Sequence, residues 1–350
     1  MALASVTSAS PSYLSIVGEA VLHKNKGVTT SRETHRPAPF FATPLGRPTT
    51  ALLATCLWGS AFPVVKVGYR LLSIPRGNTF LQIEFAGYRF VIASIFLLAL
   101  TLFSHRSLPT FDRRTFCAVV RVGFAQTFLQ YTFFYAGIAL STGTEGAIIA
   151  GTVTFFQLGL AHLMHADDRM TASKATAAVI GFSGIVLYHV MANGDVFTLG
   201  WGEALMLLAM FSGALGNMLS KQAAPAILPV LSLTAIQMLL GGIGLVVVGA
   251  WKTGIMPFRF SVQSGLVLGY LAVVSAVSFL LWNNLMSYNK AGTVSVYLLL
   301  VPIFGVSLSS LLLGEPLHWY VVPALAMIAV GIAMTHVGSI GRRAFPVSTD

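Results

Sequence analysis

Charge is what this sequence lacks. Asp, Glu, Lys and Arg make up only 9% of its 350 residues, against about 25% in a typical soluble domain. That is too little to coat a soluble globule of this size. A soluble enzyme, a nucleic-acid-binding module and a disordered chain are excluded on that ground. Acidic residues are scarcest: 11 Asp and Glu stand against 21 Lys and Arg, a net charge of +10. Cysteine is nearly absent. Cys56 and Cys117 both fall in apolar segments, and two thiols make no disulfide framework. A phosphate-cradling G-x-x-x-x-G-K-[ST] loop is missing, which speaks against direct ATP use. So is the G-x-S-x-G nucleophile motif.

What is present is apolar: 55% of the residues are hydrophobic. A helix needs roughly 20 apolar residues to cross a bilayer core about 30 Å thick. Ten segments qualify, at 50–72, 79–103, 115–138, 143–164, 173–191, 201–222, 229–251, 262–287, 291–313 and 318–337. Helices are required because lipid satisfies no free backbone donor or acceptor. The first 48 residues are rich in Ser, Thr, Pro and basic residues and hold no long apolar run. They lack the charged-then-apolar order of a secretory signal, and Glu19 and Glu33 count against an organellar transit peptide. A disordered cytoplasmic tail is expected there, and a second short one over 339–350.

Basic residues set orientation. With the N-terminus inside, fourteen Lys and Arg are cytoplasmic, while Arg70, Arg76, Lys252 and Arg259 are outside and Lys66, Arg89 and Arg121 lie within spans. Both termini are therefore expected in the cytoplasm, in a multi-pass protein of the cell membrane, with an organellar membrane as the lesser alternative.

The chain also repeats. Displaced by 147 residues, 133–190 lie on 280–337 without a gap. Ala177 then meets Ala324, Gly184 meets Gly331, His189 meets His336 and Asp168 meets Glu315. Lys66 falls near Lys221 after a gap. Each half, 50–191 and 200–338, would hold five spans. An odd number forces the halves into opposite orientations. Inverted halves are typical of carriers that alternate access around a midplane site. The expected fold class is thus an all-α integral membrane protein, with ten transmembrane helices as two inverted five-helix repeats.

Four stretches resemble the EamA type of the drug/metabolite transporter superfamily. They are Trp58-Gly-Ser-Ala-Phe-Pro-Val-Val-Lys66, Tyr88-Arg89-Phe90, Gly213-Ala-Leu-Gly-Asn-Met-Leu-Ser-Lys221, and the run from Ala291-Gly-Thr-Val-Ser through Pro302 to Leu313-Gly-Glu315-Pro316. The first repeat departs from the pattern. It ends His165-Ala-Asp167-Asp168 where L-G-E is usual, and it lacks the proline near Phe155. The resemblance implies a five-plus-five inverted repeat and a carrier for small organic solutes, often an exporter.

Ionisable side chains inside spans are functional candidates because lipid penalises them. Arg89, near the middle of its span, is expected to line a cavity or pair with an anion, with a structural ion pair or a tie to backbone carbonyls as the alternative. Lys66, in the outer third of its span, is a candidate substrate contact on the same helix face as Trp58, with Pro63 between them freeing a carbonyl; snorkelling to the interface is its alternative. Glu84 is the candidate for proton coupling, with an anchor near the outer surface as its alternative. Arg121 is expected to snorkel. Polar and aromatic groups supply further substrate contacts: Gln126, Gln130, Asn217, Gln237, Trp282, Asn283 and Asn284. The same groups can equally bond helix to helix. His162, His165, Asp167 and Asp168 have metal-ligand chemistry but sit at an expected helix end, where polar residues are ordinary, and no metal site is expected.

The function expected is a secondary transporter of small organic metabolites, of exporter type, carrying amino acids or similar solutes. Its partners would be a small-molecule substrate and the lipid bilayer, with a homodimer left open and with no cofactor or nucleic acid. Two alternatives belong to other classes. One is an intramembrane enzyme such as a metal-dependent prenyltransferase, for which only Asp167-Asp168 speaks. The other is a non-transporting receptor or scaffold.

Overall fold

The computed structural model describes residues 39–105, 112–141, 143–193, 200–224 and 226–341. Of the expected tails, 1–48 and 339–350, residues 1–38 and 342–350 lie outside the described residues; the described parts are not tail-like, since Phe40–Ala42 form a 3-10 turn, the first helix begins at Gly46 and the last runs to Gly341. Among the described residues, all regular structure is helical.

The first half comprises α1 (Gly46–Leu71), α2 (Thr79–His105), α3 (Arg113–Gly123), α4 (Gln130–Leu140), α5 (Gly143–Ala150), α6 (Val153–Met164) and α7 (Ala172–Asn193). A π-helical turn, Phe124–Leu129, joins α3 to α4. The second half comprises α8 (Trp201–Ala223), α9 (Val230–Thr253), α10 (Val262–Tyr288), α11 (Ala291–Val294), α12 (Leu300–Leu313) and α13 (Val321–Gly341). A 3-10 turn, Ser295–Leu299, joins α11 to α12. Helix starts follow local chemistry. Ser261 and Ser264 form a reciprocal capping box at α10, which satisfies two of the backbone donors a helix start leaves free. Asp112 caps α3 by accepting from the Thr115 amide at 2.7 Å. Hydrogen bonds from Thr115 hold its carboxyl below the usual carboxylate range.

All ten expected segments are helical, but among the described residues only seven helical stretches are long and apolar enough to cross a membrane, with Glu145–Met164 and Ala291–Leu313 each taken as one stretch across its internal turn. The apolar stretches in α7 and α13 are shorter. The rod from Arg113 to Leu140 is missing from the seven, and its composition gives the reason. It carries Gln126, Thr127, Gln130 and Thr132, and the first two are fully buried. A helix that faces protein rather than lipid tolerates such residues when they find partners.

Packing exchanges the two halves. α1 lies on α10 as α4 lies on α8, and α1 meets α12 as α6 meets α8. α2 packs along α9, and α7 along α13. The α2–α9 seam is close enough to require glycine. A Cβ on Gly87 would stand 2.6 Å from the Val246 amide, and one on Gly249 would stand 2.8 Å from the Glu84 backbone. Gly87→Leu is therefore expected to lower the unfolding midpoint in detergent, since overpacking costs about 1–3 kcal/mol. An unchanged midpoint would show that the seam opens freely.

Candidate functional site

A cavity of about 70 Å³ lies among α1, α2, α4, α5, α6, α8, α10 and α12. Trp58, Phe62, Tyr131, Phe134 and Phe279 give it an aromatic wall, and Arg89, Gln130 and Asn217 give it polar points.

Arg89, the eleventh residue of α2, is buried to 1% exposure. Its Nε donates to the Leu271 carbonyl at 3.1 Å and to Ser275 Oγ at 2.5 Å. Its Nη1 donates to Tyr135 Oη at 3.1 Å. Phe90 and Tyr131 flank the guanidinium, with ring centroids 5.2 and 5.7 Å away. Such contacts soften the burial of a cation without neutralising it. Nη2 is buried and has no hydrogen-bond partner among the described residues. No carboxylate among them pairs with Arg89 either.

Beside the cavity runs a chain of side-chain hydrogen bonds. Gln157 Nε2 donates to Ser295 Oγ at 2.8 Å, and Asn217 Nδ2 donates to Gln157 Oε1 at 2.7 Å. Gln126 Nε2 donates to Asn217 Oδ1 at 2.7 Å and to Asn283 Oδ1 at 3.3 Å. Asn283 Nδ2 donates to Thr234 Oγ1 at 3.0 Å. One line of amides thus ties α6, α8, the π turn, α10 and α9 together. The π turn presents Gln126 to this line, and such turns recur at functional sites. Removing the central member, as in Asn217→Ala, leaves buried amide groups of Gln126 and Gln157 unmatched, at about 1–3 kcal/mol. The unfolding midpoint should fall. An unaltered midpoint would mean that the line contributes nothing.

The other candidates from the sequence are scattered. Trp58 faces the cavity and packs on buried Trp282, ring centroids 5.5 Å apart. Gln237 accepts from Thr127 at 2.7 Å, in the neighbouring helix seam. Asn284 donates to the Leu280 carbonyl of its own helix at 2.7 Å and makes no bond in the amide line. Successive helix residues point about 100° apart, so Asn283 and Asn284 cannot share a role. Glu84 accepts from Tyr88 Oη at 2.8 Å and from Thr253 Oγ1. It belongs to the α2–α9 seam and is not among the described residues lining the cavity. Arg121 is exposed. Gln157, Ser275 and Tyr135 were not singled out by sequence. Gln157 could have been, because it is a lone amide in an apolar span, as Gln126 and Asn217 are.

Lys66 lies elsewhere. It stands eight residues beyond Trp58, about 12 Å along a helix, and lines a second cavity of about 420 Å³ with Tyr69, Arg70, Arg76, Glu145 and Glu315. Its Nζ donates to the Ser141 carbonyl at the end of α4, at 2.7 Å. Lys221 mirrors this at the opposite end of the bundle. Its Nζ donates to the Met286 and Asn289 carbonyls at the end of α10, at 2.9 and 2.7 Å. A third cavity of about 220 Å³ opens there. Asp168 bridges that end, accepting from the Gly292 amide and from Lys174 Nζ, both at 2.6 Å. Lys290 donates to the Asp167 carbonyl at 2.6 Å. Asn289 also accepts from Arg47 Nε at 2.8 Å and donates to the Phe41 carbonyl at 2.9 Å. His162 accepts from the Met170 amide at 3.1 Å. The described residues hold no group of three metal-ligating side chains. The three cavities share no described lining residue.

The profile of the EamA-like transporter family matches residues 49–189 and 200–337. The chain belongs to that family. As an EamA-like protein it resembles the "Uncharacterized transporter YetK" of Bacillus subtilis, 24% identical, over 80% of this chain and 84% of the relative. It resembles a "Probable amino-acid metabolite efflux pump" of Salmonella typhimurium, 25% identical, over 85% of this chain and 97% of the relative. The "Uncharacterized inner membrane transporter YedA" of Escherichia coli K12 is 26% identical, over 83% of this chain and 89% of the relative. A solved crystal structure superposes with a TM-score of 0.66 at 14% identity, over 83% of this chain and 98% of that one, a likeness of fold alone. The chain is a membrane transporter of EamA type. The two matched stretches place Arg89 in the first EamA-like unit and Asn217 in the second, and both line the central cavity.

Proposed function

We propose that this EamA-like protein is a secondary carrier that exports small organic metabolites across the cell membrane by alternating access. The observation that carries this reading is the central cavity. It draws on both halves of the chain and holds a buried guanidinium with an unbonded nitrogen. Carriers built from inverted repeats bind substrate where the repeats meet. The lysine contacts at the two ends support alternation. Lys66 and Lys221 each cap the end of a helix from their own half, so each mouth has a contact that can break while the other holds. The Lys221 end is taken as cytoplasmic, with both termini on that side, because basic residues concentrate there. Export follows the printed function of the Salmonella relative. No proton step is placed on Glu84, which is bonded within a helix seam.

The test is mass spectrometry of the medium from cells expressing wild type or Arg89→Gln at equal levels. At least one solute should accumulate outside with wild type alone. Identical media, with no uptake into liposomes either, would overturn the reading.

A further inference from the structure

The chemistry of the central cavity narrows its substrate. This step rests on the carrier reading above. Arg89 is the only charged group among the described residues that line the cavity, and none of those residues is Asp or Glu. A guanidinium keeps its proton at any pH a protein survives. Burying it without a partner is unfavourable. Nη2 has hydrogens to give and no acceptor to take them, and Nη1 spends one bond on Tyr135. A carboxylate held at the guanidinium would offset the charge and give it the acceptor it lacks.

The same inventory excludes companions. A dianion such as a phosphate monoester needs a second cation, and the cavity offers one guanidinium. A free amino acid brings an ammonium as well. That ammonium would meet no carboxylate among the described lining residues, only the Gln130 and Asn217 amides and aromatic faces, which offset its desolvation less than an ion pair does, and it would lie close to the cationic Arg89. Trp58, Phe62, Phe134 and Phe279 suit an apolar body instead. The cavity, about 70 Å³, suits a small solute.

We infer that the central cavity takes a small monocarboxylate with an apolar body and no ammonium group, held at its carboxylate by Arg89, and that it disfavours free amino acids.

Calorimetric titration of the purified full chain in detergent tests this with three matched probes: 2-oxopentanoate, norvaline and 2-aminopentane. The oxo acid and the amino acid share a carbon skeleton and a carboxylate and differ at one carbon. The oxo acid should bind at least about tenfold more tightly than norvaline, and the amine should not saturate. Arg89→Gln should weaken the oxo acid by a similar factor, and Arg89→Lys, which keeps the charge but not the fork, by less. If Arg89→Gln fails to fold, the wild-type comparison decides alone. Norvaline binding as tightly as the oxo acid, or no probe binding, overturns the inference. Counterflow of both acids in proteoliposomes separates the two levels. Norvaline moving faster keeps the carrier and discards the acid-only site. Oxo acid that binds but is not moved keeps the site and discards the carrier.

Discussion

Arg89→Met is expected to abolish flux while leaving the unfolding midpoint unchanged or higher. The two effects separate because Arg89 is poorly satisfied at rest. Its Nε and Nη1 are bonded, but its charge faces no carboxylate among the described residues, and Nη2 is idle. Replacing a buried ionic group by an apolar side chain of similar length is often neutral or stabilising, by about 1–4 kcal/mol. The losses are limited: the Leu271 carbonyl, Ser275 Oγ and the Tyr135 hydroxyl each lose the donor that Arg89 supplied, but Ser275 still donates to the Leu271 carbonyl at 2.9 Å. Flux is different. A hydrogen bond to a charged group is worth about 1.5–3 kcal/mol, and the loss of a fork of two such bonds should slow transport by on the order of 100-fold. Flux per amount of protein and thermal unfolding, measured on the same preparation, decide it. Undiminished flux removes Arg89 from the site. Lost flux with a sharply lower midpoint makes Arg89 a structural residue.

The second large effect is expected at the Lys221 end. There Lys290 reaches the Asp167 carbonyl, and Asp168 holds the Gly292 amide at the start of α11. These contacts join the end of α6 to the start of α11, so they cross from one half of the chain to the other. If this mouth must open once per cycle, a covalent tie across it stops the cycle. The double variant Asp167→Cys with Lys290→Cys, in a background lacking Cys56 and Cys117, should lose nearly all flux on treatment with a short thiol cross-linker. A reducible linker should return it on reduction. Full flux in fully cross-linked protein would mean that solute crosses without this end opening.

Much of the fold was legible because lipid leaves few choices. A long apolar run must be a helix, and the spacing of such runs marks the elements. The count was less secure. The Arg113–Leu140 rod meets the helical expectation but not the apolar one, because it faces protein and carries the amides of the site. The site was partly legible for a related reason. Arg89, Asn217, Gln126 and Trp58 stand out against apolar neighbours, and three of them line the cavity while Gln126 bonds Asn217 beside it. Depth was not legible. Trp58 and Lys66 share a helix face yet serve different cavities, since a shared face says nothing of height along the bundle. Partners were not legible either. Gln157 and Ser295 are 138 positions apart and bond directly, a pairing that no local pattern signals.

Alternation between the two mouths is tested most directly by thiol accessibility. Ser73 lines the cavity at the Lys66 end, and Ser287 lines the one at the Lys221 end. Each would be replaced by cysteine, one at a time, in the background lacking the native thiols. Labelling rates with a membrane-impermeant maleimide would then be compared with and without the cross-link between positions 167 and 290. Alternating access predicts that closing the Lys221 end slows labelling of Ser287→Cys and speeds labelling of Ser73→Cys. Equal labelling at both ends, untouched by the cross-link, would contradict it and describe an open pore or an immobile scaffold.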